Sequence, residues 1–215
     1  GTYELGMQDQ AFLGLEAALA IPDPGGEGVE LHVATQWLHE DRKQIAACLG
    51  LPEERVRLVL GGVGGAFGAR EDISLQVHVC LLALRTGRPV KMQYGRDESF
   101  HGHVHRHPAR IWMRHHADED GHIVKIEARF VFDGGAYAST SPAVLINGVT
   151  QAQGPYRCPN AFVEGWAART NNPPCGAMRG FGVVQACFAH ESQMDKLAAA
   201  CGLDPVEVRL RNAMR

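Results

Sequence analysis

The sequence has no Cys-x-x-Cys pair, no apolar run of transmembrane length and no excess of one charge sign, and each absence removes a class of function. Its six cysteines, Cys48, Cys80, Cys158, Cys175, Cys187 and Cys201, are dispersed, so no iron–sulfur pattern can be read from their spacing. A chain of 215 residues does not need disulfides for stability, and reduced thiols in a cytoplasmic protein are the expectation. Cys48, Cys80, Cys187 and Cys201 fall in apolar helical patterns and read as small core residues. Cys175, in a Pro-Pro-Cys-Gly turn, is the thiol kept open for another role. A net charge of −3 with scattered basic residues gives no electrostatic reason to expect nucleic acid or an anionic membrane. The opening Gly-Thr-Tyr-Glu-Leu-Gly has no signal-peptide character and reads as a mature terminus or a cut within a longer protein. No fixed-period repeat or low-complexity segment interrupts the chain.

What the sequence does have is glycine in clusters. Gly61 to Asp72 places five glycines between an apolar strand pattern, Arg55 to Leu60, and an amphipathic helix pattern, Glu71 to Arg85, whose apolar face is Ile73, Val77, Cys80, Leu81 and Leu84. A second cluster, Arg179-Gly180-Phe181-Gly182, repeats the arrangement of glycines around one phenylalanine before a helix. Such clusters serve a tight strand-to-helix crossing or the approach of bare backbone to a ligand, and both readings stand. Neither a P-loop nor a complete dinucleotide fingerprint is present, because no Lys-Ser/Thr follows and Phe67 occupies the sixth position.

Elsewhere the pattern is mixed. Val29 to Thr35, Val90 to Tyr94 and Phe162 to Thr170 read as strands; Asp41 to Leu49, Val183 to Cys201 and Asp204 to Met214 read as helices, the last with Asp204 as N-cap. Arg110 to Ala117 and His122 to Asp133 pair as a hairpin about Asp118–Gly121. Gly134 to Gly154 is undecided between helix and buried loop. The fold class expected is α+β, with mixed sheets, hairpins and packed helices.

His101, His103, His105 and His107 would share one face of a strand and look like a metal nest. The lack of nearby cysteines or a spaced carboxylate, and the proline that follows, weigh against structural metal binding. Arg106 would point to the opposite face, as an anchor for a planar or anionic ligand or as a surface arginine. Glu71 reads as a helix-capping carboxylate or as a hydrogen-bonding partner for a heterocycle. Phe181 can offer its face to a flat ligand, and Arg179 supplies fixed donors or a salt bridge.

Five segments carry a family resemblance: Gly6 to Leu13, Gly64 to Glu71, Arg106-His107-Pro108, Asp133 to Tyr137 and Asn172 to Gly182. In this order they resemble the molybdenum-binding subunit of the xanthine dehydrogenase and aldehyde oxidase family. The resemblance implies that Gln8, Phe67, Gly68 and Arg179 contact a molybdopterin-bound molybdenum, with backbone near Phe67 and Gly68 approaching the metal's oxo group. It implies that Glu71, Arg106 and Phe181 contact substrate, with Glu71 and Arg106 favouring purines, hypoxanthine or xanthine, over aldehydes. An aldehyde or other N-heterocycle hydroxylase and a non-catalytic interaction domain are the alternatives. No residue here ligates the metal directly or serves as the catalytic base, which the resemblance places in a downstream glycine–glutamate motif. The chain is thus expected to be the N-terminal lobe of a molybdenum cofactor-binding domain excised from a longer subunit, inactive and cofactor-free alone. Its implied partners are the rest of that subunit and iron–sulfur (2Fe-2S) and FAD domains or subunits. Ala66 and Ala69 stand where the family commonly has glycine.

Overall fold

Strands β1 (Thr2–Leu5), β2 (Ala17–Pro22) and β3 (Val29–Val33) precede helix α1 (Leu38–Leu49). Then come β4 (Val56–Leu60), α2 (Gln76–Thr86), β5 (Val90–Gln93), α3 (Arg96–Gly102), β6 (Ala109–Ala117) and β7 (Ile123–Gly135). The series ends with α4 (Ser141–Thr150), β8 (Ala161–Arg169), α5 (Val183–Cys201) and α6 (Pro205–Asn212). The computed structural model describes residues 1–214 and divides into two compact units.

The first unit comprises Gly1–Gln8, Arg106–Gly176 and the described part of 180–215. Its sheet has the order β1-β6-β7-β8, antiparallel except for the β7–β8 pair. Alternation along β7 sends Ile126, Ala128, Phe130 and Phe132 inward, all fully buried. Each phenylalanine removed from water contributes about 1.5–3 kcal/mol. Helix α5 lays Ala186 and Ala189 on that layer, small residues that let the helix approach closely. Met194, Leu197 and Ala198 pack with Ile123, Ile126 and Val208 in a second cluster. The hairpin turn is closed as expected: Asp118 Oδ1 accepts from the N–H groups of Asp120 and His122, and Gly121 takes φ +81°. Asp204 caps α6 by accepting from Val206 and Glu207 N–H. Gly134 to Gly154 resolves into a strand end followed by α4, with Pro142 in its first turn.

The second unit comprises Asp9–His105 and Ala177–Arg179. Its sheet has the order β4-β3-β2-β5, parallel between β3 and β4 and antiparallel elsewhere. One core gathers Leu31, Val33, Ile45, Val56, Leu75, Val79, Cys80 and Ala83.

Three local expectations are corrected here. Glu71 does not open the amphipathic helix: residues Ala69–Glu71 form a separate 3-10 turn, Asp72 is extended, and α2 begins at Gln76. Gln76 causes the late start, since its Oε1 accepts from Ser74 N–H and holds the chain outside the helix. The buried face of α2 is accordingly Gln76, Val79, Cys80 and Ala83, and Leu81 is exposed. Finally, Cys48 and Cys187 lie on exposed helix faces, so of the four helical cysteines only Cys80 is fully buried.

Candidate functional site

In the first unit the chain enters β6 through Arg106-His107-Pro108, and Arg106 forms an antiparallel bridge with Gln8. Arg106 N–H donates to Gln8 O at 3.0 Å, and its Nε donates to Gln8 Oε1 at 2.9 Å. Gln8 is exposed whereas Arg106 is only 5% exposed. The sequence leaves Arg106 between a ligand anchor and a surface arginine; the fold buries it and sets its guanidinium against the Gln8 amide. His107 is buried, with Nε2 2.7 Å from Ser141 Oγ, and burial pushes its imidazole down to about 4.

Phe181 has φ +45° between Gly180 (φ +90°) and Gly182 (φ +96°), a left-handed run that only flanking glycines permit cheaply. Its ring is partly buried against the β6–β7 core, and its carbonyl accepts from Asn147 Nδ2 at 2.7 Å. Sequence reasoning missed Asn147, because nothing in its surroundings on the apolar α4 marks it. In the same unit, Asp133 pins the loop that carries Asn172-Pro-Pro-Cys. Its carboxylate accepts from Gly135 N–H, Thr170 Oγ1 and Asn172 Nδ2. Burial opposes the charge of Asp133, but the bonds from Thr170, Asn172 and Gly135 prevail and hold its pKa below the ordinary range. Cys175 is fully buried, and burial pushes its thiol up to about 12, so it is an inert core group and not a reactive thiol.

In the second unit the first glycine cluster builds a parallel device. Phe67 has φ +52° and Gly68 φ +105°, and the Phe67 carbonyl accepts from Arg179 N–H at 2.8 Å. A Cβ at Gly68 would stand 2.6 Å from Ala177 O, so the glycine serves close backbone packing. Gly68 N–H is taken by Gln36 Oε1 at 3.1 Å. Gln36 is another residue that local pattern did not reveal. Phe67 itself is 48% exposed. Glu71 follows in the same turn, its N–H donating to Gly68 O, and its Oε2 is a buried oxygen without a hydrogen-bond partner among the described residues. Burial first, and then the charge of Asp72, raises the Glu71 pKa.

The four histidines do not share a strand face. His101 closes a turn of α3 on Asp97 O and is exposed; His107 belongs to the first unit; His103 and His105 lie together in the second, with ring centroids 5.3 Å apart. The carboxylate that local sequence did not supply comes from far upstream, as Asp9 Oδ2 lies 3.0 Å from His103 Nε2 and 3.2 Å from His105 Nε2.

Residues 1–213 match the molybdopterin cofactor-binding domain family. The chain is 40% identical over 211 residues to a probable xanthine dehydrogenase subunit of Bacillus subtilis strain 168, covering 98% of this chain and 28% of that protein. It is 39% identical over 212 residues to the nicotinate dehydrogenase large molybdopterin subunit of Eubacterium barkeri, covering 99% of this chain and 50% of that one. Among solved structures, the aldehyde oxidoreductase of Desulfovibrio gigas superposes on the whole chain and on 24% of its own length with a TM-score of 0.93 at 28% identity. The chain thus spans between about a quarter and a half of the length of these relatives. A match across nearly every residue, with the same fold at that TM-score, shows that this chain belongs to the molybdopterin cofactor-binding domain family.

Proposed function

We propose that the subunit carrying this chain is a molybdenum hydroxylase that oxidises an N-heterocycle, with hypoxanthine or xanthine as the first choice. The observation that carries the reading is Glu71. A half-buried carboxyl with a raised pKa and an unpartnered oxygen is suited to share a hydrogen bond with a ring nitrogen, whereas a simple aldehyde offers no ring nitrogen to receive or donate it. The relatives support a heterocycle without choosing between purine and nicotinate, because their identities of 40% and 39% are level. Nicotinate is therefore the second reading.

The residues present fit the cofactor that the family implies. An Arg side chain has donors only, so its bond to Gln8 Oε1 turns the Gln8 NH₂ away as a free-facing donor for an oxygen ligand of the metal. Phe67 offers a backbone N–H at positive φ, with Gly68 packed too closely to be anything larger. Molybdenum held by a pterin would supply transfer of a water-derived oxygen and acceptance of two electrons. In this reading Gln8, Phe67, Gly68 and Arg179 hold the cofactor, Glu71 and Phe181 orient the ring, and Arg106 acts on substrate and on Gln8. The base that takes the proton, the 2Fe-2S clusters and the FAD are assigned to other segments or subunits. In the full-length enzyme, Glu71→Gln should lower kcat/KM for xanthine at least tenfold more than for an aldehyde, which is the share one lost hydrogen bond accounts for. Equal losses on both substrates would remove the purine assignment.

A further inference from the structure

We propose that Asp9, His103 and His105 form a binding site for a divalent transition-metal ion of the zinc type. All three residues belong to the second unit. Their ligand atoms, Asp9 Oδ2 and one ring nitrogen of each histidine, lie within 4.8 Å of one another. Tetrahedral zinc with bonds of about 2.0–2.1 Å spaces its ligand atoms about 3.3 Å apart. The observed separations from Asp9 Oδ2, 3.0 and 3.2 Å, come within a few tenths of an ångström of that.

The hydrogen-bond pattern points the same way. The side chain of His103 is 3% exposed, yet among the described residues neither of its nitrogens makes a hydrogen bond, and Asp9 Oδ2 is buried without one. His103 Nε2 and Nδ1 stand against the Asp9 and Glu16 carboxylates at ion-pair distance without a well-formed hydrogen bond among the described residues. A cation among them would satisfy the set. The second shell is in place as well: Glu16 Oε1 lies 2.9 Å from His103 Nδ1, so a carboxylate backs the imidazole whose other nitrogen faces Asp9. His105 Nε2 also lies 2.8 Å from Phe100 O, a hydrogen bond that metal binding through this nitrogen would replace. Phe12, fully buried, covers the His103 ring at a centroid distance of 5.2 Å and keeps bulk water out. Two imidazoles and one carboxylate are the borderline ligand set that zinc-type ions prefer over magnesium or calcium.

The test uses the full-length subunit, stripped with a chelator and titrated with Co²⁺ as spectroscopic probe and with Zn²⁺ in competition. Wild type should show d–d bands that saturate at one equivalent and are displaced by Zn²⁺. His103→Gln should abolish those bands, and Glu16→Gln should weaken binding about 10–100-fold without changing the stoichiometry. Glu16→Gln keeps the proposal testable if His103→Gln fails to fold. Co²⁺ binding that is absent in wild type, or equal in wild type and both variants, would overturn the site and leave the cluster as an internal ion network.

Discussion

Arg106 Nε and Gln8 Oε1 are 2.9 Å apart, and this bond decides which end of the Gln8 amide faces outward. If Arg106 serves the cofactor through Gln8, Arg106→Leu frees the amide to flip, and turnover should fall about tenfold or more, the usual effect of a misplaced positioning group. Gln8→Ala should cost part of that factor, and the double variant no more than Arg106→Leu alone. A cycle of kcat values at measured molybdenum content checks this, and losses that multiply would mean that the two residues act independently.

Gly68 and Gly62 provide a matched pair for backbone packing. Gly68 has φ +105°, and a Cβ added there would meet Ala177 O at 2.6 Å, whereas a Cβ at Gly62 would meet nothing within 4 Å among the described residues. Gly68→Ala should destabilise by about 3 kcal/mol, from the left-handed conformation and the steric clash together. Gly62→Ala should stay within about 0.5 kcal/mol of wild type. Urea unfolding midpoints at unchanged slope separate the two.

The hairpin, the long helices and the mixed sheet class were legible because period-two and period-3.6 patterns and the Asp118–Gly121 turn act locally. The start of α2 was not, because it turns on one side chain, Gln76, that competes with the backbone of Ser74. The phenylalanine between glycines marked both loops, and the structure gives Phe67 and Phe181 nearly the same φ, +52° and +45°. What the sequence hid were partners far apart in the chain: Arg106 with Gln8, Gln36 with Gly68, Asp9 with His103. No periodicity links such residues, so the role of Arg106 in orienting Gln8 and the carboxylate beside the histidines emerge only from the fold.

Asp133 should prove structural. Its carboxylate joins Gly135, Thr170 and Asn172, and the same loop closes through Ala136 N–H to Asn172 O and Cys175 N–H to Gly134 O. Asp133→Ala should cost about 2 kcal/mol, in line with lost hydrogen bonds to a charged group. The Ala136 and Cys175 amides should lose protection in hydrogen exchange while those of β6 keep theirs.

His115 should make the protein sensitive to acid. It is buried on β6, and burial, with a smaller contribution from His190, pushes its imidazole down from 6.5 to about 4. Between those values the unfolded chain binds the proton and the folded one does not, so stability falls as pH drops from about 6.5 toward 4. His115→Gln should flatten that limb of the stability curve, measured by urea unfolding across the pH series.

Asp41 should act in the opposite direction. Its side chain is fully buried on α1, and burial, helped by the charge of Asp72 and only partly opposed by the Thr35 side chain, raises its pKa from 3.8 to about 6. Between pH 3.8 and 6 the folded chain holds a proton that the unfolded chain has released. Stability contributed by the neutral carboxyl is therefore complete below the lower value and lost as pH rises through the upper one. By pH 7 the ionised group costs on the order of 2–3 kcal/mol. Asp41→Asn keeps the shape without the charge, so it should stabilise the fold at pH 7 by up to that amount and have little effect near pH 4. Urea unfolding at the two pH values tests the sign, and a variant less stable at pH 7 than at pH 4 relative to wild type would show that the buried carboxylate is held by a partner in its charged form.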